Sequence, residues 1–95
     1  MKVFISGKIT NCWNYRTNFN KAENDLGYEY GAIFNPAKFF SDIELDHADY
    51  LHICFAMIDI VDTVAFLPNW EESIGSKMEM EYAKKLDKNI IYLEG

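Results

Sequence analysis

The stretch from Asp62 to Leu86, DTVAFLPNWEESIGSKMEMEYAKKL, holds the unit on which the fold turns. Asp62 to Leu67 is a short apolar run rich in strand formers, and Pro68-Asn69-Trp70 breaks it, since proline has no N–H for a ladder. Ser73 to Leu86 then carries apolar residues at helical spacing, and this phase predicts Met78, Tyr82, Ala83 and Leu86 on the core side. Lys84, Lys85 and Lys88 fall near the negative end of that helix dipole. Strand, short loop and helix in this order make one arm of a parallel βα unit.

The same punctuation recurs on both sides. Val3 to Ser6 reads as a buried strand that stops at Gly7, and Asn14 to Leu26 as a helix with Tyr15, Phe19, Ala22 and Leu26 on one side, ended by Gly27. Tyr28 to Phe34 is again strand-like and ends at Asn35-Pro36, after which a loop carries Phe39 and Phe40. Asp46 to Ile58 places Tyr50, Leu51, Cys54, Phe55 and Ile58 on a helical stripe, with Asp42 or Asp46 as its cap, and Asn89 to Leu93 closes as a strand. The order βα, βα, βα, β predicts right-handed crossovers and a parallel sheet of about four strands with helices on both faces.

Ninety-five residues suffice for one core, so residues 1–95 are expected to form one domain. Hydrophobic residues at 49% and charged ones at 25% match a globular chain. The net charge of −6 with no Lys/Arg run opposes nucleic acid as a partner. Cys12 and Cys54 lack any paired spacing and read as reduced thiols, while His47 and His52 lack partners for zinc, so no metal is expected. The opening MKVFISGKIT is too short in apolar residues for a signal core, and no run approaches membrane-spanning length; the expectation is a cytoplasmic protein without a membrane partner.

Ligands of open parallel sheets bind beyond the carboxyl ends of the strands. That rule selects Ser6-Gly7-Lys8-Ile9-Thr10, Asn35-Pro36 and the segment from Pro68 to Glu79. Glu79 lies about one turn past Gly75, where its side chain, leaning toward the helix N-terminus, can enter the crevice and act as a nucleophile on a sugar carbon. Acidic residues at a helix start also simply complement the dipole. Ser73, Gly75 and Ser76 suit a phosphate, Lys8 a counter-charge, and Tyr15 or Trp13 a wall, while Trp70 is open between packing and stacking on a base. Asp59 and Asp62 are candidates for a general acid, although both flank the strand's far end. One glycine in the first loop, where a dinucleotide fingerprint has three, argues against NAD. No cofactor is expected.

Lys2-Val3-Phe4-Ile5-Ser6-Gly7-Lys8-Ile9-Thr10, Tyr15 with Phe19, Ala22 and Glu23, Asn35-Pro36, and the pattern Leu-Pro-x-Trp-x-x-Ser-x-Gly-x-x-x-Glu from Leu67 to Glu79, with Ala83, resemble a phage-rich family of small domains of unknown function. That family is placed in the nucleoside 2-deoxyribosyltransferase-like superfamily. The resemblance implies a three-layer, Rossmann-like or flavodoxin-like α/β fold and cleavage of the N-glycosidic bond of a nucleoside or nucleotide. It implies Glu79 as nucleophile, Asp62 or Asp59 and Tyr15 as assistants, and Ser6, Gly7, Lys8, Ile9, Asn35, Pro68, Trp70, Ser73, Gly75 and Ser76 around the substrate. The alternative is a non-catalytic module that binds a nucleotide. So small a domain, and relatives that close their sites with a partner chain, point to a homodimer or larger assembly.

Overall fold

A computed structural model describes residues 1–39 and 46–94. Its elements are β1 (Lys2–Ser6), α1 (Tyr15–Leu26), β2 (Ala32–Phe34), α2 (Pro36–Phe39), α3 (His47–Ile60), β3 (Thr63–Phe66), a single 3₁₀ turn (Trp70–Glu72), α4 (Ile74–Lys85) and β4 (Asn89–Tyr92). The four strands form one parallel sheet in the order β2-β1-β3-β4, with Phe4 beside Phe34 on one flank and Val64 on the other. The chain builds outward from β1 to β2, then returns across β1 to lay down β3 and β4. The ends of β1 and β3 therefore flank the point where the winding reverses, where such sheets open a crevice.

Strand side chains alternate between faces, and here both faces are covered. Val3, Ile5, Ala65 and Leu67 pack with Phe19, Ala22 and Leu26 of α1 and Ala37 of α2. Phe4, Val64 and Phe66 pack with Cys54 and Ile58 of α3 and Met80 and Ala83 of α4. This is the expected three-layer α/β arrangement, and it explains why β1 and β3 read as unbroken apolar runs.

Three local expectations are corrected. Strand β2 spans only Ala32–Phe34, because Tyr28 is exposed and residues 27–31 turn, with Glu29 N–H donating to the Leu26 carbonyl and Gly31 N–H to that of Met1. Asn35-Pro36 does not lead into a loop but starts α2. Asn35 Oδ1 accepts from Ala37 N–H at 3.0 Å, and proline suits a first helical position, where no N–H is needed. Met78 of α4 and Leu86, its C-cap, stand 43% and 39% exposed, and the buried stripe of α4 is Ser76, Glu79, Met80 and Ala83. The most apolar phase of α4 is thus not the buried one; a serine and a glutamate occupy the core-facing side. Of the two caps proposed for α3, Asp46 accepts from Asp49 N–H at 2.8 Å, while Asp42 and Phe40 lie outside the described residues.

Gly7 sits at the winding reversal. A Cβ there would run into Leu67 Cδ1 and meet its Cγ at 2.8 Å and its Cβ at 2.9 Å, while Leu67 N–H is tied to the Ser6 carbonyl at 2.8 Å. The leucine tip can rotate, but its Cβ moves only with the strand end. Gly7→Ala is expected to lower stability by about 1–3 kcal/mol, as overpacking does. Urea denaturation checks this, and an unchanged midpoint would show that the strand ends yield freely.

Candidate functional site

A cavity of about 290 Å³ opens at the carboxyl end of the sheet. Ile5, Ser6, Gly7, Ile9 and Thr10 supply one wall from β1 and its loop, and Tyr15 and Phe19 of α1 stand beside them. Pro36 and Ala37 enter from α2, Asp46, His47 and Tyr50 from the start of α3, and Ser73, Gly75, Ser76 and Glu79 from the start of α4. Helices that follow parallel strands begin at this end, so several N-termini converge on the hollow.

Glu79 is the buried carboxyl group of the cavity. It is 4% exposed, on the second turn of α4, and its Oε1 lies 2.6 Å from Ser6 Oγ. Ser6 Oγ is also 2.9 Å from Ser76 Oγ. A hydroxyl has one proton, so both contacts are satisfied when Ser6 donates to the carboxylate and Ser76 donates to Ser6. The Cys54 thiol stands near enough to favour the charged form of Glu79, and the Tyr50 hydroxyl does the same for Cys54. Burial raises the Glu79 carboxyl, Ser6 and Cys54 favour its charged form and offset part of that rise, and the group ends up at about 7. Burial, with the negative charge of Glu79 nearby, also pushes the Tyr50 phenol and the Cys54 thiol above their usual ranges. Both therefore stay protonated near neutrality, and Cys54 is a thiol rather than a thiolate nucleophile. Cys12 and Cys54 are both free thiols.

The structure brings Ser6, Gly7, Ile9, Tyr15, Ser73, Gly75, Ser76 and Glu79 to one cavity and separates the other candidates from it. Asp62 accepts from Lys2 N–H at 2.8 Å, and Asp59 accepts from the Tyr82 hydroxyl. Both stand at the amino end of the strands, opposite the cavity, so neither reaches it. Asn35 is buried and structural: its amide donates to Asn20 Oδ1 and Glu23 Oε1, each at 3.2 Å. Lys8 pairs with Glu72 at 3.6 Å, and its N–H donates to Asn69 Oδ1. Pro68 lines a second, smaller hollow beside α1. Trp70 packs on Phe66 and Tyr92, with ring centroids 5.3 and 6.3 Å away, so packing is its role. Ser73 caps α4 by accepting from Ser76 N–H at 3.1 Å.

Asp46, His47 and Tyr50 were not anticipated at the site. The signal for them was present: in a parallel sheet the start of every crossover helix faces the crevice, and Asp46 already read as the cap of α3.

Among the described residues no helix is long and apolar enough to cross a membrane. The fold is similar to that of a solved structure described as 2-desoxiribosyltransferase from Leishmania mexicana, with a TM-score of 0.72 and 16% identity. The likeness covers 97% of this chain and 63% of that one, so the present chain spans less than two thirds of that structure's length. No curated protein matches the sequence. A family model does: the one described as Domain of unknown function (DUF4406) matches residues 1–92, and the chain belongs to that family.

Proposed function

We propose that this protein cleaves the N-glycosidic bond of a nucleoside or nucleotide, with Glu79 as the nucleophile. The observation that carries the reading is a buried carboxylate at the strand-end cavity, held by Ser6 at 2.6 Å and poised to ionise near neutral pH. The likeness in fold to a 2-desoxiribosyltransferase supports the substrate class. In the first step a Glu79 oxygen bonds to the anomeric carbon as the bond from that carbon to the base nitrogen breaks. The electron pair leaves with the base, which takes up one proton. Tyr15, Asp46 and His47 line the same cavity and are the side chains there suited to supply it. Water, or a second base in a transfer, then attacks the anomeric carbon, and the Glu79 carboxylate is regenerated.

A second reading, a module that binds a nucleoside without cleaving it, is favoured by one observation: Asp59 and Asp62 stand away from Glu79. Free-base release from a panel of nucleosides and nucleotides, run beside thermal shift on the same panel, separates the two. Base release above the uncatalysed rate is expected. Stabilisation without product would select the binding module, since a ligand that prefers the native state raises its melting temperature.

A further inference from the structure

Resting on that reading, we infer that the substrate is an uncharged nucleoside and that the cavity discriminates against its 5′-phosphate. None of the described residues that line the cavity is Lys or Arg, whereas Asp46 and Glu79 bring two carboxyl groups. Three cations on the neighbouring elements have partners of their own. Lys8 pairs with Glu72 at 3.6 Å, Lys38 with Glu23 at 2.7 Å, and the Arg16 guanidinium lies over the Tyr15 ring, 5.2 Å from its centroid. His47, the remaining lining side chain able to become cationic, is exposed to solvent.

The start of α4 is the element best suited to a phosphate, and its donors are partly spent. Ser76 N–H donates to Ser73 Oγ, Lys77 N–H to the Ser73 carbonyl, and the Ser76 hydroxyl belongs to the chain that ends on Glu79. A helix N-terminus contributes the equivalent of about half a positive charge. A phosphate dianion would meet two carboxyl groups, the exposed Asp46 and the buried Glu79. Sugar hydroxyls, by contrast, both donate and accept, and they match a wall of serine, threonine, tyrosine and carboxylate groups without any charge to neutralise.

The test compares a 2′-deoxynucleoside with its own 5′-monophosphate at pH 8, by free-base release and thermal shift. At low salt the nucleoside is expected to have a kcat/KM at least tenfold higher. In 0.5 M salt, where the Debye length falls to roughly 4 Å, the gap should narrow. Arg16→Ala should leave the ratio unchanged. Equal or faster cleavage of the monophosphate overturns the inference while leaving the N-glycosidase reading intact, as does a selective loss of monophosphate cleavage in Arg16→Ala. A gap indifferent to salt overturns its electrostatic basis. If neither compound yields free base, the glycosidase reading fails, and the inference goes with it.

Discussion

Glu79→Gln is expected to lower free-base release by roughly 10³-fold or more, the scale of losing a covalent nucleophile. The substitution is nearly isosteric, and the surrounding hydrogen bonds can adapt to it. The new amide can donate to Ser6 Oγ, which then turns its own proton toward Ser76 at 2.9 Å. The fold should therefore survive, and circular dichroism with single-turnover kinetics makes the comparison clean. A variant within tenfold of wild type would remove Glu79 from the reaction, whatever the cavity looks like. Under the binding-module reading the outcome differs: the wild type releases no base, and the substitution changes only the thermal shift.

Much of the architecture was legible because parallel sheets punctuate a sequence strongly. Apolar runs such as Thr63–Phe66 mark strands buried on both faces, and Gly7, Gly27 and Pro68 mark where elements stop. The rule that sites lie beyond strand ends then led to Glu79 without any contact information. The failures have one physical origin: periodicity reports apolar spacing, whereas burial in α4 is set by which side of the helix meets the sheet. Met78 looks like core by composition and is exposed, while Glu79 looks like surface and is buried. A buried carboxylate on the core-facing stripe is the type of local conflict expected where function overrides stability. Asn35 shows the converse. A polar residue after a strand suggests a ligand, yet its amide is consumed by Asn20, Glu23 and the first turn of α2, contacts that depend on how two helices dock.

The burial of Glu79 has a measurable signature in pH. In the unfolded chain Glu79 ionises near its ordinary 4.5, and in the native state near 7, because burial disfavours the charged form. Between those values the native state holds a proton that the unfolded chain has released. Its stability is therefore fully present below about 4.5 and is lost as pH rises toward 7, by on the order of 3 kcal/mol for a shift of this size. Glu23 runs the other way: Lys38 holds its carboxyl below the usual range, so its contribution is present above that range and lost on acidification. The difference between wild type and Glu79→Gln isolates Glu79, because Glu23 is common to both. By urea denaturation the variant should match the wild type near pH 4.5 and exceed its stability at pH 8. Catalysis should follow the opposite course, with kcat/KM climbing as Glu79 ionises and levelling above about 7. A stability difference that stays flat from pH 4.5 to 8 would mean that the carboxylate is solvated as well in the native state as in the unfolded chain. Glu79 would then not be the desolvated nucleophile on which the proposed chemistry depends.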